Sequence, residues 1–526
     1  MSTAIRNHIH RMNATPEATE PQEGLVENNT GGYVFQTDDM NRLVRFLTIG
    51  TDGGTYYVGE ADLTKQNVDF IIDLIKSDLS GVLDLTVEIS SEGRAPKNSQ
   101  AIFVLALALV HGDDKSAVSD ALPKVARTGT HVLEFVDYLR GLGGLGRAKR
   151  KAIAGWYLSQ SPDRLAYQVA KYKNRHGYTH RDVLRLSHPV GLDKSVGKFI
   201  LSGEVDENSP EILRWYIRAG KVGSVEEAVA LINTAEVNVP WEFFPTEIHK
   251  APGFWISMFY RGNIPPVAVL RNIRRFANSG ALDDKSFASD VAKSIADPER
   301  IKSGRLHPMQ IIDAMVALDF INGHGLRPPE QTHWANVIAN AMEDAFYTSF
   351  KNVKPTGKQV MLSLDVSGSM TYSWGGTMPP MLVAAVTAMV YIKSDPYTTT
   401  VNAFSDTLQP IALRSNDSLS TVIKKMMNFR FGATNLAAPL DKALSTKDKY
   451  DAFIVITDNE VNRGNSVHRV LGKYRREVNP QARYVVNAVE ATEFSVADPK
   501  DVLSLDVSGY DSGTVGLVQS FVRGEF

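Results

Sequence analysis

The chain has 526 residues, of which 43% are hydrophobic and 22% are charged, with a formal net charge of −2 and no cysteine. This length is enough for two or more domains, and the composition is that of a globular protein. The missing cysteines exclude disulfides and thiolate metal sites. No apolar stretch reaches the roughly 20 residues that a membrane-spanning helix needs. The first 23 residues are polar, without a signal-peptide core, so we expect a disordered tail and a cytoplasmic protein that does not contact membranes.

Helical periodicity dominates the first two thirds of the chain. A short helix is expected over residues 38–47 and a Gly-rich loop over residues 48–60. From residue 68 onward, amphipathic segments follow one another with short loops, and residues 99–111 are apolar enough for a fully buried helix. This density of helices predicts an α-solenoid of stacked, HEAT-like helix pairs. An irregular helical bundle stays open as the alternative, because no repeat period is sharp.

The pattern changes at residues 351–357, where Pro355 and Gly357 mark a linker. After the linker, buried strands alternate with helices, beginning with the strand 360–364. This βαβα order predicts a parallel, doubly wound sheet. The expected organisation is a tail (1–23), a helical module (24–350), a linker (351–357) and an α/β domain (358–526).

Oxygen-bearing side chains gather where strands of the predicted sheet end. The carboxyl ends of parallel strands share one edge, so residues that follow different strands can approach one another there. The candidate set is Asp365, Ser367, Ser369, Thr434 and Asp458. Carboxylate and hydroxyl oxygens suit a divalent cation such as Mg²⁺ better than Zn²⁺. For the first three residues, a Ser- and Gly-rich turn without a metal is the plainer alternative.

This set resembles the metal-ion-dependent adhesion site (MIDAS) of von Willebrand factor A domains. Its five residues occur in the family's order, although the loop before Asn435 has Gly-Ala-Thr instead of the commoner Gly-Gly-Thr. The resemblance implies a divalent metal, with Mg²⁺ expected, held by the hydroxyl groups directly and by the aspartates through water. It also implies an open coordination position for an acidic group of a partner.

Positive charge is concentrated in residues 140–188, where eleven Lys and Arg stand against two acids. Such asymmetry favours a polyanion partner, although helical surfaces can be basic without a ligand. Gly141 to Gly146 match GxGxxG, but a helix precedes them instead of a strand, so a dinucleotide site is not expected. The glycines lead into a basic helix, whose candidate RNA contacts are Arg147, Lys149 and Arg150.

A second basic stretch covers residues 171–189. Thr179 and Asp182 have the spacing of a capping box, which predicts a helix that buries Val183 and Leu184. The cations left for solvent or phosphate are Lys171, Lys173, Arg175, Arg181 and Arg185. Aromatic residues are interleaved with them, as suits RNA with unpaired bases.

The stretch from Lys171 to Pro189 contains KYxxRxGxxHxDxLRLSHP, which resembles the signature of the TROVE module in the Ro 60 kDa autoantigen family. Residues 31–35 and 45–60 resemble the N-terminal part of that module. The order of the domains also agrees, a helical module before an A domain. The similarity runs from about residue 31 to the C-terminus and is most like that of a bacterial Ro orthologue.

The resemblance implies a fold and a set of partners. Family members form a ring of helical repeats whose ends the A domain joins, and we expect a monomeric ring here. Small noncoding Y RNAs bind the outer surface of the ring, ends of misfolded noncoding RNAs enter its central hole, and bacterial members can work with a 3′-to-5′ exoribonuclease. The RNA contacts that carry over are Lys171, Arg175 and His188. The basic helix that begins at Arg147 would face the hole.

The expected function is therefore non-enzymatic RNA binding in RNA quality control. Two alternatives stay open: a metal-dependent adhesion or protein-assembly module, and a Mg²⁺-dependent phosphotransferase using Asp365. The second lacks an acid at position 367, where aspartyl-phosphate enzymes have one. For His188 the alternative is a core hydrogen bond, whereas His176 and His180 are expected to be solvent or packing histidines. The aromatic cluster 241–260 is expected to be core.

Overall fold

The structure is a computed structural model, which describes most of the chain. The described residues are 25–27, 33–35, 39–49, 55–57, 68–93, 95, 97–322, 325–326, 332–367, 370, 379–405, 407–429, 435–457, 467–489, 501–508 and 512–525. They fall into two compact units. A sheet unit takes those within Met1–Thr64, Ala296–Gln331 and Met342–Phe526, and a helical unit takes those within Lys65–Ile295 and Thr332–Ala341.

The helical unit consists of short helices joined by short loops. Its helices are Val68–Ser77, Leu79–Glu92, Ser99–His111, Lys115–Val125, Gly129–Gly141, Arg147–Leu158, Pro162–Lys171, His180–Ser187, Lys194–Ser202, Glu211–Ala219, Val225–Thr234, Pro252–Tyr260, Pro266–Asn278 and Lys285–Ala296. Short 3-10 turns occur at Trp241–Phe243, Ile248–Lys250 and Ala281–Asp283. Many of the helices begin at a side-chain cap; Asp78, Thr128 and Ser224, for example, each accept a hydrogen bond from a backbone N–H of the first turn. Each such cap stabilises its helix by about 1 kcal/mol.

The first helices of this unit stack in two layers. Val68–Ser77, Ser99–His111 and Gly129–Gly141 contact one another in succession, as do the alternate helices between them. Ser99–His111 lies in the middle of its layer, and its residues from Gln100 to Leu109 are buried on every side. Packing of each helix against the next but one is typical of stacked helix pairs. The helical region predicted from sequence is therefore confirmed.

The strands, in chain order, are short in the first part of the chain and longer after the linker. They are β1 Leu25–Glu27, β2 Tyr33–Phe35, β3 Thr55–Tyr57, β4 Asn174–Arg175, β5 Tyr178–Thr179, β6 Ile321–Asn322, β7 Gly325–Leu326, β8 Val360–Asp365, β9 Thr399–Phe404, β10 Leu408–Pro410, β11 Ala452–Thr457, β12 Arg483–Ala488 and β13 Ser504–Ser508. The helices of the sheet unit are Asp39–Ile49, Pro298–Ser303, Pro308–Ala317, Pro380–Ser394, Leu419–Met427, Ala438–Thr446, Val467–Glu477 and Ser512–Arg523. His333–Ser349 contributes residues to both units.

Seven strands form one sheet, in the order β10-β9-β8-β11-β12-β13-β3. All neighbours are parallel except β10, which pairs antiparallel with β9 at one edge. Helices Ala438–Thr446 and Val467–Glu477 cover one face, in an apolar cluster with side chains of β8, β11 and β12. Pro380–Ser394 and Ser512–Arg523 lie on the other. This arrangement confirms the predicted parallel, doubly wound sheet after the helical region.

The strand at the other edge comes from the N-terminal part of the chain. β3 runs parallel to β13, with Thr55 opposite Asp506 and Tyr56 opposite Val507. Arg45, buried in the helix before it, donates a hydrogen bond from Nη2 to the carbonyl oxygen of Ser504 at 3.0 Å. The expectation of a loop over residues 48–60 was wrong for Thr55–Tyr57, which form β3. A strand of three residues carries no periodicity, and its partner lies about 450 residues later.

A further helix covers the outside of the sheet unit. Pro308–Ala317 contacts both Pro380–Ser394 and Ser512–Arg523. Pro380–Ser394 is consequently buried nearly all round, which explains its continuous apolar sequence. Within the described residues, no helix is both long and apolar enough to cross a bilayer.

Candidate nucleic-acid interface and metal centre

A tight β-hairpin carries Arg175. β4 pairs antiparallel with β5, so that Asn174 lies opposite Thr179 and Arg175 opposite Tyr178. The two residues between the strands, His176 and Gly177, have φ angles of 52° and 75°. Two positive φ angles in a two-residue loop are typical of a type I′ turn, which matches the twist of the paired strands. The side chain of Arg175 is exposed, with Nη1 donating to the carbonyl oxygen of Asn174 at 2.7 Å.

The helix His180–Ser187, here called the signature helix, begins directly after the hairpin. Thr179 Oγ1 accepts from Asp182 N–H at 3.2 Å, and Asp182 Oδ2 accepts from Thr179 N–H at 3.0 Å. This is the predicted capping box. Hydrogen bonds from Thr179 lower the pKa of Asp182, so the cap carries a negative charge at the positive end of the helix. The helix buries its apolar side and exposes Arg181 and Arg185.

His180 fastens the signature helix to the basic helix Arg147–Leu158. Its ring is buried, and Nδ1 lies 2.7 Å from the hydroxyl of Tyr157, which is also buried. Burial lowers the pKa of His180 to about 4, so the ring is neutral near pH 7. His180 is a packing histidine, as predicted, and His176 is exposed in the turn.

His188 ends the signature helix. It adopts the left-handed conformation, with φ 48° and ψ 59°, and its N–H donates to the carbonyl oxygen of Leu184 at 2.9 Å. The imidazole is exposed, so the alternative of a hydrogen bond in the core does not hold. An exposed ring on a fixed backbone is well placed for a ligand, and its RNA contact stays a prediction.

Lys171 ends the helix Pro162–Lys171 and is held by two partners. Nζ lies 3.1 Å from the hydroxyl of Tyr167 and 3.6 Å from Glu242 Oε1, and the side chain is 24% exposed. Burial disfavours the charge, but the bond with Tyr167 and the carboxylate of Glu242 outweigh it and raise the pKa of Lys171. Tyr167 precedes Lys171 by one helical turn, a spacing visible in the sequence. Glu242 lies 71 residues away, and no sequence signal connects it to Lys171.

The basic helix starts at Arg147, which is exposed. Lys149 Nζ lies 3.3 Å from the carbonyl oxygen of Leu139, and Arg150 Nε donates to that of Leu145 at 2.8 Å. Burial lowers the pKa of Lys149. Lys149 and Arg150 therefore fasten the end of the preceding helix and the loop that follows it, while Arg147 faces solvent. Cations in a first helical turn oppose the helix dipole, so this charge has a cost in stability.

The predicted RNA residues lie on neighbouring elements of the helical unit. The signature helix contacts both the basic helix and Gly129–Gly141, and β4 also contacts Gly129–Gly141. Lys173 is exposed between Lys171 and the hairpin. The whole set, Lys171, Lys173, Arg175, His188, Arg147, Lys149 and Arg150, is thus carried by one group of packed elements.

The metal candidates are described in part. Asp365, the last residue of β8, is fully buried; its Oδ1 accepts from Ser367 N–H at 2.7 Å and its Oδ2 from Thr457 Oγ1 at 2.7 Å. Ser369, Thr434 and Asp458 lie outside the described residues. Thr457 ends β11, the neighbour of β8 in the sheet, so parallel register could have pointed to it. Sequence reasoning missed it because the carboxylate that follows, Asp458, is the stronger metal ligand by residue type.

The donor chemistry fits a divalent cation. Asp365 and Ser367 are both buried oxygen-bearing residues at one strand end, and no sulfur or imidazole belongs to the candidate set. Among the described residues, no group of three or more His, Asp and Glu is assembled for metal binding. The metal site therefore stays a prediction, based on its hard oxygen ligands.

Comparison with known proteins matches both the helical part and the sheet part of the chain to family models. A family model of the TROVE domain matches residues 26–214 and 235–331, and one of the Ro60 vWA domain matches residues 359–522. The chain is similar to the RNA-binding protein RO60 of Deinococcus radiodurans, with 33% identity over 528 residues and 97% of each chain covered. It is also similar to the RNA-binding protein RO60 of Caenorhabditis elegans, with 29% identity, covering 96% of this chain and 91% of the relative.

A solved structure agrees. The crystal structure of the Deinococcus radiodurans RO (RSR) protein matches with a TM-score of 0.83 and 31% identity, covering 93% of this chain and 100% of that one. The resemblance found in residues 171–189 is thereby confirmed. The chain belongs to the Ro60 family, with a TROVE domain followed by a von Willebrand factor A domain.

Proposed function

We propose that this chain is a non-enzymatic RNA-binding protein that acts in RNA quality control or a stress response. It binds small noncoding Y RNA on the outer surface of its helical module and the ends of misfolded noncoding RNAs in the cavity expected for the family. A 3′-to-5′ exoribonuclease is a proposed partner. The observation that supports this most is the signature segment, in which the exposed Arg175 and His188 and the partly exposed Lys171 stand on a rigid hairpin and helix ends.

The geometry suits phosphate binding by fixed cations. Arg175 presents a planar fork that can bind a phosphate through two hydrogen bonds, whereas Lys171 supplies a point charge. The type I′ turn fixes the backbone within the hairpin, and the capping box fixes it where the hairpin joins the signature helix. Little conformational entropy is therefore lost on binding. Selection then comes from RNA shape and from a single-stranded end, since phosphate contacts carry no base sequence.

The proposal is tested by removing two of these charges. Lys171→Ala combined with Arg175→Ala should weaken Y RNA binding at least about tenfold and lower the slope of log affinity against log salt by about 2. Lys198→Ala combined with Lys293→Ala is a matched control, because both lysines lie in the helical unit beside carboxylates. If the first variant binds like wild type, this site is not the RNA site.

We also propose that Asp365, Ser367, Ser369, Thr434 and Asp458 hold a divalent cation, with Mg²⁺ expected. When bound, the cation would supply an electrophilic centre with an open position for a partner's carboxylate. The burial of Asp365 and Ser367 at one strand end supports this, because it gathers hard oxygen donors away from bulk water. Thr457 and the Ser367 N–H orient the carboxylate.

This site favours a second candidate function, metal-dependent adhesion or protein assembly. Calorimetry should detect Mg²⁺ binding to wild type, and Thr457→Val should weaken it while the protein stays folded. A melting temperature that does not respond to Mg²⁺ would contradict the metal site. If a chelator abolishes binding to a protein partner and RNA binding is absent, adhesion is the better assignment.

A further inference from the structure

Beside Lys171, the helical unit presents an arginine that lies over a tryptophan ring. The guanidinium carbon of Arg275 is 4.8 Å from the ring centre of Trp241, and its Nη1 donates to Asn272 Oδ1 at 2.8 Å. Asn272 is itself buried and donates from Nδ2 to the carbonyl oxygen of Ala268 at 2.8 Å. The guanidinium is thus held by a ring on one side and an amide on another, while the side chain of Arg275 is exposed.

The tryptophan below is fixed as well. Its ring centre lies 5.5 Å from that of His249 and 5.9 Å from that of Trp255, which is fully buried. The carbonyl oxygen of Trp241 lies 3.0 Å from His249 Nε2. Trp241 is therefore half-buried at the margin of an aromatic core, and Arg275 covers its outer part.

This pair adjoins the proposed RNA site. The residue after Trp241 is Glu242, whose Oε1 lies 3.6 Å from Lys171 Nζ, and the turn Trp241–Phe243 contacts the helix Pro162–Lys171. Two consecutive residues of one turn thus touch Lys171 on one side and Arg275 on the other. The two cations belong to one continuous surface.

The helix that carries Arg275 strengthens the positive charge. Pro266–Asn278 contains Arg271, Arg274 and Arg275 and no acid. All three arginines are exposed, and Arg271 lies one turn before Arg275. Among the described ion pairs, none includes these arginines. Two carboxylates lie near this region: Glu242, which pairs with Lys171, and Glu247, which acts on His249.

We infer that Trp241, Arg275 and Arg271 form an RNA contact outside the family signature, in which an unpaired base stacks on the exposed plane of Arg275. Arg271 and Lys171 take the phosphates on either side. Guanidinium planes stack on bases, and a plane that is already held loses little entropy on binding. This inference rests on the proposed RNA binding and adds a single-strand contact to it.

The chain contains a similar pair that serves as a control. The guanidinium carbon of Arg218 lies 5.1 Å from the ring centre of Trp215. Trp215 is buried, however, and its Nε1 donates to Glu211 Oε1 at 2.8 Å. The neighbouring carboxylate repels phosphate, so we expect no RNA contact at Arg218.

The test compares Arg275→Lys, Arg275→Gln and Arg218→Lys with wild type. The probes are one RNA stem-loop with a single-stranded 3′ uridine tail and the same stem-loop without a tail. Arg275→Lys keeps the positive charge but removes the planar guanidinium group. The tailed RNA should therefore bind roughly tenfold more weakly, and the affinity for the blunt RNA should not change. Arg275→Gln should also lower the salt slope by about 1. Arg218→Lys should bind both like wild type.

Three results would overturn the inference: wild-type binding of the tailed RNA by Arg275→Lys, an equal loss for the blunt RNA, or an equal loss in Arg218→Lys. Should either Arg275 variant melt early, a 4-thiouridine in the tail gives a readout on wild type, where the photocrosslink is expected at the peptides containing Trp241 or Arg275. A crosslink elsewhere overturns the inference. If wild type binds neither RNA, both the proposed function and this inference fail. If RNA binding is lost in the Lys171 and Arg175 double variant but not in the Arg275 variants, the proposed function stands and only the contact at Arg275 is refuted.

Discussion

At the residue scale, Lys171 keeps its charge in a setting that partly opposes it. Burial acts against the ammonium group, while Tyr167 and Glu242 stabilise it. The distance of 3.6 Å to Glu242 Oε1 is longer than a good hydrogen bond, and both side chains are partly exposed. Such pairs contribute about 0–1 kcal/mol, so a phosphate can displace Glu242 at little cost.

Removing that carboxylate should therefore strengthen RNA binding. We expect Glu242→Gln to raise Y RNA affinity about two- to fivefold and to steepen the salt dependence, because Lys171 no longer has a competing anion. Fluorescence anisotropy at several salt concentrations measures both. Glu204→Gln, which removes a similar partner from Lys198, should have no effect. Weaker binding of Glu242→Gln would instead mean that Glu242 positions Lys171.

Two histidines, one buried and one partly buried, predict how the helical unit responds to acid. Burial lowers the pKa of His180 to about 4, and burial together with nearby Arg127 lowers that of His131 to about 4. The unfolded chain has histidine pKa values near 6.5, so between about pH 6.5 and 4 it binds more protons than the folded chain. Stability is therefore full above pH 6.5 and falls as the pH drops, by roughly 1.4 kcal/mol per pKa unit and histidine.

Histidine-labelled NMR checks this directly, with His180→Gln used to assign the resonance. The His180 ring should remain neutral down to about pH 4, and the free energy of unfolding measured with urea should decrease between pH 6.5 and 4.5. A titration midpoint near 6.5 would show that the ring is not buried against Tyr157.

At the scale of single elements, the hairpin determines where Arg175 stands. Gly177 has a φ of 75°, and a Cβ added there would meet no atom within 4 Å. Gly177→Ala should therefore cost about 1–2 kcal/mol through backbone strain alone and weaken RNA binding by loosening Arg175. Thermal melting and RNA titration measure the two effects.

Gly155→Ala provides the contrast. It lies inside the basic helix, where a Cβ also meets no atom within 4 Å and the φ angle is not positive. Alanine should stabilise that helix by about 0.5–1 kcal/mol without changing RNA affinity. Equal effects of the two substitutions would contradict the positioning role of the turn.

Several of these elements can be predicted from sequence, and the reasons differ. β8 and β11 are apolar runs, and the capping box of Thr179 and Asp182 has a fixed spacing, so local patterns suffice. The hairpin has strands of only two residues, and Glu242 approaches Lys171 from 71 positions away. Such features depend on tertiary packing, which a local pattern does not record.

At the scale of the whole molecule, the compact units do not follow the order of the chain, because the sheet unit includes residues from both its N-terminal and C-terminal parts. The N-terminal residues supply β3 at the edge of the C-terminal sheet, and Arg45 binds the backbone of Ser504. Residues 45–60 resemble the N-terminal part of the family's module, but the resemblance did not predict a strand there, and residues 48–60 were expected to form a loop. The pairing of β3 with β13 could not be predicted because both partners are short and far apart in sequence.

Deleting residues 1–64 should therefore destabilise the sheet unit. The deletion removes β3 and Arg45, so β13 becomes an unprotected edge strand. We expect a melting temperature lower by several degrees and faster hydrogen exchange at Asp506 and Ser508, whose backbone faces β3, because the alternate residues of β13 bond to β12. A deletion of residues 1–23 alone should change neither. Unchanged exchange in β13 after the longer deletion would contradict this account of the sheet.

The central claim is that the chain holds a small structured RNA through its signature segment. Sequencing the RNA that co-purifies with wild type, and with the Lys171→Ala and Arg175→Ala double variant, tests it most directly. We predict one or a few small noncoding RNAs strongly enriched on wild type and largely lost from the variant. No enriched small RNA on wild type, or the same RNA equally enriched on the variant, would contradict the claim.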